Sequence, residues 1–260
     1  MQGKGIEVVD YREYIPGDDI RLIDWNLYAR TEKLYIKRFM EERDLIMHLL
    51  VDSSASMDFT TGGMRKFDYA ATIAAGFAFL AVENEEKYAC GLYSDSVKTV
   101  TDARKSKKHL YDTIRLLNNM ELSGRTNMGV SATQYNKLIK SKSYVIVLSD
   151  FLEDLPSIKE GVHRLSRRSL ELTLIQVLDP WETDLGWRMD VNFEDMETDE
   201  VKRTYISPGF KKEYGERIKS HTRSVQELAN DFGAEFITVN TQKPLIDVFI
   251  ELMGGIKRGD

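Results

Sequence analysis

Two short runs of β-branched and aliphatic residues, 45–51 and 144–148, each end beside an aspartate and a serine, and this constrains the fold more than any other feature of the chain. Continuous apolar runs without polar alternation belong to strands buried on both faces, which occur in parallel sheets covered by helices. Residues 88–93, 170–177 and 235–239 have the same strand character. Helical patterns occupy 66–83, 107–117, 129–140 and 155–165. Strands alternating with helices predict βαβ units, and hence an α/β, doubly wound and mostly parallel sheet with helices on both faces.

Two regions interrupt the alternation. In 1–44 the Pro16-Gly17 turn signal, a helix cap at Asp18 or Asp19 and an extended run at 34–39 predict a β-containing N-terminal arm packing on the main domain, 45–260. Within that domain, 191–206 reads as an inserted β-hairpin turning near Thr198-Asp199. No internal repeat or low-complexity linker is present.

A chain of 260 residues with 42% hydrophobic and 30% charged residues is long enough to bury a full core. Lys and Arg total 36 against 42 Asp and Glu, a net charge of -6, which argues against nucleic-acid binding by bulk positive charge. The densest basic cluster, Arg104, Lys105, Lys107, Lys108 and His109, reads as a solvated face. A single cysteine, Cys90, and the lack of a signal-peptide pattern lead us to expect a reducing, cytoplasmic setting. The most apolar stretch, 70–82, spans 13 residues, short of the roughly 20 that a transmembrane helix needs.

The chemistry concentrates after the first apolar run, in Asp52-x-Ser54-x-Ser56. The string alone is common, but the carboxyl end of a buried parallel strand is where open α/β sheets place ligands. Gly124-Arg125-Thr126-Asn127 offers a hydroxyl just before a helix, and the second run ends in Ser149-Asp150. Asp52, Ser54, Ser56, Thr126 and Asp150 would then converge at one sheet edge. Two carboxylates with three hydroxyls form an all-oxygen set suited to Mg²⁺, with Mn²⁺ next, and unsuited to zinc or copper. With only two anionic ligands the ion would retain water that a partner's Asp or Glu could displace, which is adhesion chemistry and not hydrolysis.

These five positions resemble the metal-ion-dependent adhesion site of von Willebrand factor A domains. The N-terminal string Gly3-x-Gly5-x-Glu7, Arg12-Glu13-Tyr14-x-Pro16-Gly17-Asp18-Asp19-x-Arg21-x-Ile23-Asp24-Trp25, Ala29-Arg30 and Glu41-Glu42-Arg43 is similar to the A-domain-like family encoded beside MoxR-type AAA+ ATPases. The similarity runs on through Asp52 to Met57 and Leu148-Ser149-Asp150-Phe151, and more loosely to the final helix and strand. It implies a Rossmann-like von Willebrand factor A-like domain with the metal at the top of the sheet. It also implies an adaptor role, in which a client carboxylate docks at Mg²⁺ for a MoxR-type ATPase in complex assembly or metal insertion. Members of that family usually carry some tens of residues before the Gly-x-Gly-x-Glu segment, which here begins at Gly3, so a shortened N terminus is expected.

Other readings compete with these. Asp52, Ser54 and Ser56 could form a capped turn and nothing more. Asp18, Asp19, Asp24, Glu41 and Glu42 could suggest a nuclease-like cluster, but pairing with Arg12, Arg21, Arg30 and Arg43 is the simpler expectation. Neither serine sits in a Gly-x-Ser-x-Gly elbow or in recognisable relation to His48, His109, His163 or His221, and no phosphate-binding glycine motif is present. No catalytic constellation emerges, and we expect no enzymatic activity. The alternatives are a metal-dependent phosphoester hydrolase using the same acidic site and a structural subunit with a vestigial site. Trp25, Trp181 and Trp187 read as core or hinge residues before interface anchors, and His48 and Cys90 as core. Met57, Phe59, Asn127 and Met128 are expected to rim the metal.

Overall fold

The computed structural model describes residues 8–39, 45–183, 190–194, 201–205 and 208–256. Contacts divide the chain into two units, Met1–Asp44 and Leu45–Asp260.

In the first unit β1 (Val8–Glu13) pairs antiparallel with β2 (Tyr35–Phe39), and between them lie a 3-10 turn (Ile20–Leu22) and α1 (Trp25–Thr31). Gly17 adopts φ 111°, a conformation open to a residue without Cβ, at the turn that its neighbour Pro16 announces. Asp19 caps the 3-10 turn by accepting from the Arg21 N–H. Asp24 caps α1, accepting from the Asn26 and Leu27 N–H groups at 2.9 and 3.1 Å. The acidic residues are structural: Asp18 pairs with Arg12 at 2.6 Å and Asp19 with Arg21 at 2.7 Å. Asp24 departs from the expected arginine partnership, because the antiparallel register brings Lys37 to 3.3 Å. Glu41, Glu42 and Arg43 lie outside the described residues.

The second unit runs β3 (Ile46–Asp52), α2 (Lys66–Glu83), β4 (Lys87–Tyr93), β5 (Val97–Val100), α3 (Lys107–Asn118), α4 (Met128–Tyr135), β6 (Ser143–Ser149), α5 (Leu155–Ser166), β7 (Ser169–Leu178) and α6 (Pro180–Thr183). It continues through β8 (Asp190–Glu194) and β9 (Val201–Tyr205), which pair antiparallel, and then α7 (Pro208–Asp231), β10 (Glu235–Asn240) and α8 (Leu245–Ile256). Six strands form one sheet in the order β10-β7-β6-β3-β4-β5, parallel throughout except for β5, which runs antiparallel to β4 at the edge. This is the doubly wound α/β sheet that the alternation of strands and helices implies.

The period of two along each strand explains why both faces are covered. Leu49 and Val51 of β3 and Ile146 and Leu148 of β6 join one core with α2, α3 and α8. Leu50, Val145 and Val147 face the opposite core, built with α4, α5 and α7. His48 is buried on β3 with its Nδ1 3.0 Å from the Tyr135 hydroxyl, and Cys90 is a buried core residue whose thiol desolvation pushes up to about 12.

Several elements differ from the sequence reading. α4 ends at Tyr135 and not near residue 140, because the Lys137 and Leu138 N–H groups bond three residues back and tighten the chain into a turn. β5 and α7 were not anticipated. β5 is too short for a periodicity signal, and much of α7 is polar. Among the described residues no helix is long and apolar enough to cross a membrane.

Candidate functional site

From β3 the chain crosses to β4 on one side and later to β6 on the other, so the strand order reverses between β3 and β6. In open α/β sheets the crevice outside the carboxyl ends of such strands is the ligand position. Asp52 is the last residue of β3 and Ser149 the last of β6, with Asp150 following.

Backbone hydrogen bonds gather the loops there. The Ser53 N–H donates to the Tyr93 carbonyl at 2.7 Å, and the Ala55 N–H to that of Gly124 at 3.0 Å, which draws segment 123–127 against the β3 loop. Asn127 caps α4 through the Val130 N–H, and the Glu153 carboxylate accepts from the Met128 N–H at 3.0 Å. Thr126 is thereby held at the mouth of the crevice.

All five sequence-nominated side chains enter one hydrogen-bonded cluster. Asp52 is fully buried; its Oδ1 accepts from the Ser54 N–H at 2.9 Å, and its Oδ2 from Ser149 Oγ at 2.6 Å and Thr126 Oγ1 at 3.2 Å. The Ser54 and Ser56 hydroxyls lie 3.1 Å apart, and Ser56 Oγ donates to Asp150 Oδ2 at 2.8 Å. Beyond what a capped turn requires, the cluster joins three separate loops.

Three further residues belong to it. Ser149 was visible only as a neighbour of Asp150. Lys66, the first residue of α2 and 1% exposed, donates from Nζ to Asp150 Oδ2 at 2.8 Å and to Glu182 Oε1 at 2.5 Å. Glu182, in α6 just after β7, accepts the Asp179 N–H through its other oxygen at 2.8 Å. No pattern marks a buried lysine in advance, since a charge opening an apolar helix ordinarily faces solvent.

The electrostatics follow from burial and from the unequal sharing of one cation. Burial, followed by the charge of Asp150, pushes the Asp52 carboxyl up to about 7 against the opposing hydrogen bonds of Ser149 and Ser54. Burial would also raise Asp150, but the Lys66 ammonium and the donors Ser56 and Leu152 N–H hold it below the usual carboxylate range. Glu182 is raised by burial in spite of Lys66. Desolvation works against the Lys66 charge, and the two carboxylates overcome it and raise its pKa. The Tyr93 hydroxyl is buried without a hydrogen-bond partner among the described residues and is raised by burial and then by the charge of Asp52.

The donor set suits a hard cation. It is oxygen only, contains two carboxylates, and brings hydroxyls within hydrogen-bond reach of the carboxylates, so the same oxygens can turn toward a metal. Among the described residues no three His, Cys, Asp or Glu side chains gather as a metal-binding group, and a set that draws most of its donors from Ser and Thr does not need one.

Residues 10–224 match the family described as "Protein of unknown function DUF58". The chain belongs to this family. Its curated relatives include "Uncharacterized protein Rv1480" of Mycobacterium tuberculosis (strain ATCC 25618 / H37Rv) and "Uncharacterized protein Mb1516" of Mycobacterium bovis, each 26% identical over 262 residues, covering 100% of this chain and 82% of the relative. Among solved structures, the conserved hypothetical protein BatB from Bacteroides thetaiotaomicron is similar at a TM-score of 0.54 and 11% identity, covering 83% of this chain and 100% of that one. An aerotolerance-related membrane protein from Bacteroides fragilis NCTC 9343 is similar at 0.51 and 12% identity, covering 75% and 91%. These likenesses are of fold alone, a mostly parallel α/β sheet covered by helices.

Other nominated residues of this DUF58 chain sit differently from the sequence reading. Met57 and Met128 are buried and pack in the two cores; only Phe59 and Asn127 are partly exposed near the site. The reason is that the 3-10 turn after Ser54 and the first turn of α4 each direct an apolar residue inward. Trp25 is 61% exposed, against its reading as a core or hinge residue, and Trp187 lies outside the described residues. In the basic cluster Arg104, Lys105 and Lys107 pair with Asp102, Glu85 and Glu83, while His109 is buried.

Proposed function

We propose that this chain is a metal-dependent protein-binding module whose Asp52, Ser54, Ser56, Thr126 and Asp150 form a metal-ion-dependent adhesion site for Mg²⁺, with Mn²⁺ as a substitute. The observation that carries the reading is the meeting of all five oxygen-bearing side chains at the point where the strand order reverses. Charge supports it too. Asp150 and Glu182 share the ammonium of Lys66, and Asp52, whose carboxyl is raised by burial and by the charge of Asp150, adds on ionising a negative charge that a divalent cation would neutralise.

When bound, the ion supplies a Lewis-acidic position for a carboxylate oxygen of a protein partner. The chain's own part is to hold Asp52 and Asp150 at the ends of rigid neighbouring strands and to present the Ser54, Ser56 and Thr126 hydroxyls from loops tied to them. The occupant is an Asp or Glu of a client, and the module serves as adaptor to a MoxR-type AAA+ ATPase in complex assembly or metal insertion. That partnership rests on the similarity of the N-terminal string. A hydrolase would need a cation free to clamp phosphate; Lys66 stands in the site but is buried between two carboxylates.

Capture of a MoxR-type ATPase from the same source on immobilised protein, in Mg²⁺ and in EDTA, tests the reading. Retention by wild type in Mg²⁺ alone, lost in Asp52→Ala, is the expected result. Equal retention under all conditions would overturn metal-dependent docking, and phosphatase turnover lost in Asp52→Ala would favour the hydrolase.

A further inference from the structure

Among the described residues Lys66 is the one ammonium in the cluster around the candidate metal ligands, and its placement is unusual. It is 1% exposed at the start of an apolar helix, and its Nζ reaches two carboxylates of different origin, Asp150 after β6 and Glu182 after β7. Asp150 belongs to the candidate metal set; Glu182 does not. The oxygen of Asp150 that Lys66 takes, Oδ2, is also the one that Ser56 Oγ takes, so the ammonium lies on the side of Asp150 that faces the other ligands.

We propose that Lys66 is a resident counter-ion that competes with the divalent cation for Asp150, and that Glu182 is the alternative seat that keeps Lys66 paired when Asp150 turns to the metal. The proposal rests on the metal reading above. Like charges a few ångströms apart in a buried site oppose one another strongly, so an ammonium on a ligand's oxygen lowers affinity for a second cation. An ammonium left wholly unpaired inside the protein would be prohibitive, which is why a second carboxylate outside the ligand set is needed. Glu182 fits that part: one oxygen holds Lys66, and the other is fixed by the Asp179 N–H. The pair therefore sets how tightly the site holds metal before a partner arrives, and biases it toward occupation together with an acidic partner.

The test measures Mn²⁺ affinity directly, by electron paramagnetic resonance and by calorimetry, on the full chain. Lys66→Met should bind Mn²⁺ about tenfold or more tightly than wild type, since the competing charge is gone. Glu182→Gln should bind more weakly, because Lys66 then has only Asp150. Should Lys66→Met fail to fold with two buried carboxylates unpaired, the double variant Lys66→Met/Glu182→Gln removes both charges and should also bind more tightly than wild type. Asp52→Ala within each background identifies the site. If wild type binds Mn²⁺ in an Asp52-dependent way but removing Lys66 leaves affinity equal or lower, the competition is refuted while the metal reading stands. If neither wild type nor any Lys66 variant shows Asp52-dependent binding, the metal reading falls and the competition with it.

Discussion

Ser149 Oγ donates to Asp52 Oδ2 at 2.6 Å, joining the last residues of two neighbouring parallel strands at the point where the sheet changes direction. The same oxygen accepts the Phe151 N–H at 3.0 Å, and Phe151 is a buried residue at φ 50°, a left-handed conformation that non-glycine residues seldom adopt. Replacing Ser149 by Ala strips a donor from a buried carboxyl and leaves the Phe151 N–H without its acceptor. The expected loss is about 1–3 kcal/mol, read from the urea midpoint. An unchanged midpoint would show that the strand-end link carries no stability.

The Asp52 carboxyl makes a pH-dependent contribution of definite sign. Its folded-state value near 7 lies above that of an unfolded aspartate, so its contribution is present in acid and is lost as pH rises toward and through 7. Asp52→Asn cannot ionise. In metal-free buffer the stability difference should therefore swing in favour of the variant between about pH 4 and about pH 7. Under the proposed reading, Mg²⁺ at the higher pH restores wild type and leaves the variant unmoved. Parallel pH profiles for the two proteins would contradict the burial of charge at Asp52.

His48 gives the opposite sign. Burial lowers its pKa to about 4 from 6.5, so the fold holds it neutral while the unfolded chain protonates; the contribution is present above about 6.5 and is lost as pH falls toward 4. The full swing corresponds to about 3 kcal/mol. His48→Leu should lose this acid sensitivity, with a constant offset for the Tyr135 hydroxyl left without its partner. Thermal melts of the two proteins between these pH values provide the comparison.

Gly161 sits where α5 packs against the start of α4. A Cβ at this position would stand 2.5 Å from Met128 Cγ and 3.0 Å from the Met128 carbonyl oxygen, and the backbone atom cannot move aside as a side chain can. Gly161→Ala should destabilise by about 1–3 kcal/mol through overpacking. Because Met128 opens the helix that follows Thr126, hydrogen exchange at the start of α4 should rise as well. A melting temperature equal to wild type would show that the two helices separate without cost.

The sequence determined the sheet and most of the oxygen-bearing cluster at its edge on its own. Residues 45–51 and 144–148 are short and largely apolar on both faces, and between helical stretches such runs fit the strands of a covered parallel sheet. Once β3 and β6 lie side by side, Asp52 and Asp150 must share an edge, and the short loop after β3 brings Ser54 and Ser56 along; Thr126, between α3 and α4, arrives through the long-range bond of the Ala55 N–H to the Gly124 carbonyl. Local signals also marked the Pro16-Gly17 turn and the Asp19 cap, because each depends on residues within a few positions of one another.

Only the tertiary structure decided the charge balance of the site. Lys66 lies 84 positions from Asp150 and 116 from Glu182, and nothing local to any of the three shows that they meet. A lysine opening a helix ordinarily extends into water, and here β6 and β7 carry two carboxylates to where it would otherwise be solvated. The inward turn of Met57 and Met128 and the pairing of Asp24 with Lys37 were likewise decided by packing and register. Periodicity records which face of an element is apolar; it does not record which distant charge that face will meet, because burial energy depends on neighbours that only the folded chain supplies.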